Sequence, residues 1–340
     1  MNAEKGHSNI AFFVPHLGCP NQCSFCNQKT ISGQQKPPSP EEVRQVCQEA
    51  LEHLGERAEK AEIAFFGGSF TAIEHKYMVS LLEAAFPFVG KGKFSGIRIS
   101  TRPDAVENEV LKLLRGYGVT VIELGAQSMD DEVLKRNLRG HTAAQVEDAS
   151  RRIRQHGFSL GLQMMTGLDG QDDAGCLDTA ARLAELEPQC VRIYPTVVLR
   201  GTLLAERFLN GSYAPPSLEE TVSLGARLLD FFEGKNIPVI RFGLHASKDV
   251  EGQMLAGGYH PALRELCEAR RFLFRAINTL EKRFPSGYTE TIQAAVNPRD
   301  ISKALGQKKG NLFLLEKKGW KVRFVQDKDV ETGQVHILGI

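Results

Sequence analysis

No apolar run in this 340-residue chain approaches the roughly 20 residues that a bilayer crossing needs, so no membrane span is expected. An excess of charge of either sign is also lacking: 42 Lys and Arg stand against 41 Asp and Glu, a net of +1. That balance excludes a chain that is basic throughout and confines any nucleic-acid surface to a local patch. There is no repeat at a period of about 20 to 50 residues, which excludes solenoids and propellers, and no low-complexity tract. Seven cysteines are an odd number, and nothing at the N-terminus resembles a signal peptide, so a secreted disulfide framework is not expected. What is left is ordinary for a soluble globular protein, with 42% hydrophobic and 24% charged residues. The length suits one large domain, or a main domain with an appendage.

The cysteines are unevenly spread. Cys19, Cys23 and Cys26 stand at C-x3-C-x2-C spacing directly after the apolar run Asn9 to Val14, which reads as a buried strand. Three thiolates on one short loop make a soft metal site. Four would close a structural zinc site or fill an ordinary cluster, whereas three leave one metal corner open to a ligand that is not protein. The alternative is a closed zinc site with His16 or the distant Cys47 as fourth ligand, although no second ligand pair follows at zinc-finger spacing. Exposed, oxidisable cysteine ligands fit a reducing cytoplasm.

Downstream, strand and helix signals alternate. Ser39 and Glu42 make a capping-box pair ahead of a helix that runs to about Leu54. Ile63 to Phe66 is a doubly buried strand ending in Gly67, Gly68 and Ser69. Strands then follow over Ile97 to Ser100, Val119 to Leu124, Leu160 to Met165 and Val191 to Tyr194, separated by helical stretches. These β–α units imply a parallel sheet curled into a partial or whole barrel. Ser217 and Glu220 open another boxed helix, and Pro238 to Phe242 offers a further strand. Gly67, Gly68, Ser69, Thr101, Arg102, Gln127, Gln163 and Tyr194 fall at or just past the C-terminal ends of these strands, the active face of a parallel barrel. Polar groups that recur at one end of successive strands converge on one cavity. Met164 and Met165 read as core filler.

The cysteine spacing with Phe25 before the third cysteine, and the Gly67-Gly68 pair after the second strand, resemble the radical S-adenosylmethionine (SAM) superfamily. The resemblance implies a partial parallel (β/α)6-type barrel in which Cys19, Cys23 and Cys26 hold a four-iron four-sulfur cluster. It implies that SAM chelates the open iron and is cleaved to methionine and a 5′-deoxyadenosyl radical, with flavodoxin or ferredoxin as electron donor. On that analogy Phe25 lies near the adenine, with a core aromatic filling the loop as the alternative. Gly67 and Gly68 admit the methionine amino group because no Cβ intervenes. Glu123 and Gln127 bond the ribose or methionine groups, and Arg139 pairs with the SAM carboxylate.

Several stretches, Ile99 to Asp104, Glu123 to Ser128 with Arg139 to Thr142, and Arg192 to Thr202, more narrowly resemble the radical SAM core of the Elongator catalytic subunit family, which modifies wobble uridines of transfer RNA. The match covers about residues 9 to 215. That family's acetyltransferase domain cannot be fitted into this chain, so the resemblance carries the SAM chemistry and not acetyl-CoA. A weaker resemblance is to oxygen-independent coproporphyrinogen oxidase-like proteins.

Residues 1–245 are therefore expected to form the barrel, 246–284 a helical cover over its open face, and 285–340 a small α/β module. The last segment reads strand, helix, basic turn, helix, strand, an order that resembles a KH RNA-binding module, with Gly306 opening the turn and Lys309 where a second glycine is expected. Between Arg299 and Arg323 eight Lys and Arg stand against two Asp and Glu, an electrostatic footprint for phosphate. Lys303, Gly306, Lys308, Lys309, Lys317 and Lys318 are the candidate RNA contacts. Three functions stay open at this point: transfer RNA modification, radical chemistry on a small molecule or peptide, and a metal-stabilised RNA-binding protein without catalysis.

Overall fold

The structure is a computed structural model that describes residues 8–14, 17, 19, 23–27, 30, 36–245, 248–284 and 288–338. His16, weighed above as a zinc ligand, lies outside the described residues, as does the stretch before residue 8 read for a signal peptide.

Seven strands form one all-parallel sheet: β1 (Ser8–Phe13), β2 (Ala61–Phe66), β3 (Ile97–Thr101), β4 (Val119–Gln127), β5 (Ser159–Thr166), β6 (Cys190–Pro195) and, after the short β7 (Val197–Leu199), β8 (Val239–Phe242). Their order across the sheet is β1-β2-β3-β4-β5-β6-β8, the order in which the chain makes them. Each crossover thus steps to the next neighbour with the same hand, which winds the sheet into a half-barrel with helices along one face. The seventh strand is β8, the further strand that Pro238 to Phe242 offered.

Alternation along the strands sets the two faces. Ile97, Ile99, Ile122, Leu124, Leu160, Leu162, Val191 and Ile193 point outward into the main apolar core under the helices. Burying each stabilises the fold by roughly 1.5–3 kcal/mol. The residues between them, Arg98, Glu123, Gln163 and Arg192 among them, are left to face the barrel interior. Outer helices begin where local chemistry dictates. Ser39, Thr142 and Ser217 each cap a helix with a full capping box, the Ser39 amide bonding Glu42 Oε2 at 2.6 Å.

Within the segment 246–284, expected as a helical cover, one helix serves two cores. That helix, Leu263–Glu281, gives Leu263 and Cys267 to the main core and Phe272, Leu273, Ala276 and Leu280 to a second core. It is a spine shared by the barrel and the C-terminal module, because its apolar stripe is long enough to serve both. Before it, β9 (Met254–Gly257) pairs antiparallel with β7 as a two-stranded ribbon. The module itself has β10 (Thr291–Val296), helices Ile301–Leu305 and Gly310–Lys317, β11 (Lys321–Gln326) and β12 (Val335–Ile337). Its sheet order is β11-β10-β12, with β10 and β11 parallel and β12 antiparallel. Asn311 ties it to the spine, donating from Nδ2 to the Ala269 carbonyl at 2.8 Å.

Candidate active site

The barrel floor is a buried chain of charge. Arg98 lies between Glu62, 2.7 Å from its Nε, and Glu123, 2.8 Å from Nη1. Arg192 Nε stands 2.7 Å from the other oxygen of Glu123, an ion pair whose angle is too bent for a hydrogen bond, and its guanidinium covers the Phe66 ring at 5.0 Å. Two carboxylates and two guanidiniums balance. Burial would pull Arg98 down, but Glu123 and Glu62 outweigh it and hold the guanidinium above its ordinary range. Gln163 donates its amide to Glu123 Oε2 at 2.8 Å and to Ser100 Oγ at 3.1 Å. Gly161 makes room for this: a Cβ there would stand 2.8 Å from Glu123 Cγ.

Glu123 was expected to bond SAM. At 1% exposure, with both oxygens taken by arginines, it belongs to the floor instead. The register that sets Ser100 beside Glu123 and Gln163 beside Arg192 builds this network across four strands, and one strand read alone cannot reveal it. Tyr194, half-buried above Arg192, is pushed up by burial.

Above the floor the strand ends behave differently. Ser69 and Thr101, also expected to contact SAM, are buried and share a hydroxyl bond of 2.8 Å; the Arg102 amide adds a bond to Ser69 Oγ at 3.2 Å. They lock the loops after β2 and β3 together. Gly67 and Gly68 do admit a close neighbour, but it is backbone: a Cβ would lie 2.8 Å from the Val14 carbonyl oxygen at Gly67 and 2.0 Å from that of Leu17 at Gly68. The glycines let the chain pass from β1 into the cysteine loop.

Arg102 makes a bidentate pair with Asp104, at 2.9 and 2.7 Å, which leaves Nη1 buried without a partner. Arg139 donates from Nη2 to the Gly125 carbonyl at 2.6 Å and from Nη1 to Cys23 Sγ at 3.1 Å; its Nε is buried and unpartnered. Gln127 sits at φ 68, and its Oε1 is a third orphan. Thr196 Oγ1 is a fourth. Native proteins rarely leave buried polar atoms unpaired. Arg102 and Thr196 directly follow β3 and β6, Gln127 ends β4, and Arg139 bonds Cys23 of the cysteine loop, so these four orphans, with His141 Nδ1 as a further one, suit a polar ligand such as SAM.

The loop itself is pinned by residues that the motif reading passed over. Ser24 bonds Asn137 twice, backbone to backbone at 3.1 Å and Oγ to Oδ1 at 3.0 Å, and accepts from the Leu204 amide at 2.7 Å. Asn137 is fully buried two residues before Arg139, which was the available signal. Phe25 packs part-buried between Val198, Leu204 and Tyr213 on one side and Val133, Met165 and Leu168 on the other. Met164 is plain core, as expected, whereas Met165 joins Phe25 at the site.

Burial, then the neighbouring Cys23, holds the Cys19 thiol above its usual range, while Arg102 and Arg139 pull it down. Among the described residues no three His, Cys, Asp or Glu side chains close on a point where one metal ion would sit. Three soft thiolate donors are the set that a four-iron four-sulfur cluster takes with one corner left open. Cys47, the alternative zinc ligand, is fully buried in the apolar core, and burial pushes its thiol to about 12. His141 bonds the Ala126 carbonyl at 3.1 Å; burial and then Arg139 lower it to about 4.

In the C-terminal module, Lys303 is tied to Asp300 at 3.0 Å, so its charge is taken. Gly306 (φ 70) opens a turn in which Lys308 (φ 52) and Lys309 (φ 60) are both left-handed. Lys317 lies over the Phe313 ring at 4.6 Å, and Lys318 is exposed beside it.

Residues 13–183 match the radical SAM superfamily, and residues 188–273 match the radical SAM C-terminal domain. Over 243 residues the chain is 24% identical to a tRNA uridine(34) acetyltransferase of Dehalococcoides mccartyi, covering 62% of this chain and 53% of that protein. It is 29% identical to human Elongator complex protein 3, covering 65% of this chain and 44% of the relative. The chain thus spans about half the length of these curated relatives. Among solved structures, the archaeal Methanocaldococcus infernus Elp3 with an N-terminal deletion superposes with a TM-score of 0.60 at 21% identity, over 81% of this chain and 63% of that one, a likeness of fold. Among the described residues no helix is long and apolar enough to cross a membrane.

Proposed function

Since the chain belongs to the radical SAM superfamily, whose enzymes use a four-iron four-sulfur cluster and SAM, we propose that it binds that cluster through Cys19, Cys23 and Cys26 and acts on transfer RNA. Held by Cys19, Cys23 and Cys26, such a cluster would supply the electron for reductive cleavage of SAM. The chain positions and shields that chemistry. Arg102 and Arg139 hold the SAM carboxylate, a planar acceptor that guanidinium groups match. Gln127 and Thr196 accept and donate to the remaining polar groups of SAM, and Phe25 with Met165 keeps water from the cleavage point. An electron donor of the flavodoxin or ferredoxin kind completes the system.

The observation that carries the reading is the set of four orphaned buried polar atoms at the strand ends beside the cysteine loop. Transfer RNA is favoured over a small molecule by the activity for which one relative is named and by the basic C-terminal module. The test is anaerobic. The protein is reconstituted with iron and sulfide, reduced, and given SAM, with Cys23→Ser as control. Formation of 5′-deoxyadenosine by the wild type alone, increased by bulk transfer RNA, is the expected result. Tight zinc, no iron and no SAM cleavage would overturn the enzyme reading; cleavage indifferent to RNA would overturn the substrate.

A further inference from the structure

We propose that the C-terminal module grips a single-stranded stretch of RNA, with phosphates on the turn at Lys308 and Lys309 and a base stacked on Phe313. This rests on the transfer-RNA reading and names the surface that holds that substrate. Two independent features carry it. The first is charge. From residue 308 to 323 the chain has six lysines and arginines and a single acid, Glu316, a net of five positive charges in a protein whose total is +1. All six, Lys308, Lys309, Lys317, Lys318, Lys321 and Arg323, are exposed. The basic residues elsewhere in this structure often meet acids: Arg98, Arg102, Arg192, Arg271 and Lys303 each sit in an ion pair. Among the described residues the six make none.

The second feature is an aromatic ring in the wrong place for a core. Phe313 is 58% exposed on the helix Gly310–Lys317, while its neighbour Leu315 on the same helix is fully buried. Lys317 stands four residues after it, the spacing that sets side chains along one helix face, and Lys309 ends the turn that leads into the helix. The Lys317 ammonium lies over one face of the ring, 4.6 Å from its centre. A cation beside a largely exposed ring matches a polymer that alternates phosphates with flat bases, its phosphate on the ammonium and its base on the rest of the ring. In a duplex the bases are already stacked on each other, so a free ring selects unpaired nucleotides.

The turn sharpens the point. Two successive lysines in the left-handed region are strained, and glycine would sit there without penalty. The fold alone gains nothing from lysine at these positions.

The experiment uses the full-length protein, titrated by fluorescence anisotropy against a labelled unstructured RNA and against bulk transfer RNA across a salt series. Lys308→Gln with Lys309→Gln is expected to reduce the slope of log affinity against log salt by about 1.4, from about 0.7 per phosphate contact. Phe313→Ala is expected to weaken single-strand binding about tenfold with the salt slope unchanged. Lys308→Gly with Lys309→Gly is expected to raise the melting temperature and still weaken binding, which separates grip from folding. If all three variants bind as the wild type does, this inference falls while the transfer-RNA reading, scored by RNA-stimulated SAM cleavage, stands. If the wild type binds no RNA, both fall. Binding to phosphatidylserine vesicles with none to RNA would also overturn it.

Discussion

The floor and the rim of the barrel carry the same kinds of side chain in opposite states. Arg98 and Arg192 at the floor are 5% and 8% exposed, and Arg102 and Arg139 at the rim are 3% and 7%. Burial does not tell them apart. Charge pairing does: every floor guanidinium faces a carboxylate of Glu62 or Glu123, Arg192 Nε by an ion pair without hydrogen-bond geometry, whereas each rim arginine keeps a buried nitrogen with neither a hydrogen bond nor an ion pair. A saturated network holds strands together, and an unsaturated one is arranged for something else. The difference sets Glu123 among the groups that hold the strands together and supports the proposal that Arg139 serves a ligand.

The largest way to break that distinction is to remove the carboxylate at the centre of the floor. Glu123→Ala leaves Arg98 with Glu62 alone and Arg192 without a carboxylate, and breaking a buried pair from one side costs about 3–5 kcal/mol. Urea unfolding should show that loss. A Glu123→Ala protein as stable as the wild type but weak in SAM binding would falsify the assignment and restore Glu123 to the cofactor.

Next in size is a pH effect at the border of the two regions. His141 has its pKa lowered from 6.5 to about 4, by burial first and then by Arg139. A base whose folded pKa is depressed is neutral in the fold but protonates in the unfolded chain, so stability is full above 6.5 and falls as pH drops toward 4. The linked loss is about 3 kcal/mol. Unfolding free energies between pH 7 and 4 should trace it, and His141→Gln should flatten the curve. An unchanged slope in that variant would place the acid sensitivity elsewhere.

Much of the scaffold was legible because it is local. Capping boxes at Ser39 and Ser217 declare themselves within four residues, and the helix begun at Ser39 ends at Leu54 as read. The parallel strands follow from short apolar runs spaced by helices, and the cysteine loop from its spacing. What stayed hidden depends on register. Whether Glu123 faces SAM or Arg98 is decided by how β4 lies against β3 and β5. The purpose of Gly67 and Gly68 is decided by where β1 delivers the chain. Likewise, Asn137 matters only because Ser24, 113 residues earlier in the chain, folds onto it. The β7–β9 ribbon was missed because three or four residues carry too little alternation to register as strands.

The rim can be tested from its strongest member. Arg139→Lys keeps the charge but loses the planar fork, and a lysine reaches neither the Gly125 carbonyl nor an anionic ligand in the same geometry. A hydrogen bond to a charged group contributes about 1.5–3 kcal/mol, so SAM affinity should fall by roughly tenfold or more. Equilibrium dialysis against the reconstituted protein gives the number. Folding stability should move by only about 1 kcal/mol, and a loss as large as that of Glu123→Ala would make Arg139 part of the floor after all.

The smallest expected effect is the most discriminating. Thr196 is 1% exposed, and its hydroxyl has no partner, so it costs the fold stability without serving it. Replacing a buried, unpaired hydroxyl by a methyl removes that penalty. Thr196→Val should therefore be neutral or stabilising by about 1 kcal/mol in the cofactor-free protein, and should weaken SAM binding by several-fold. Opposite signs in the two measurements are the signature of an atom kept unsatisfied for a ligand. If Thr196→Val destabilises the free protein, its hydroxyl is bonded within the fold, and the rim loses one of the four atoms on which its contrast with the floor depends.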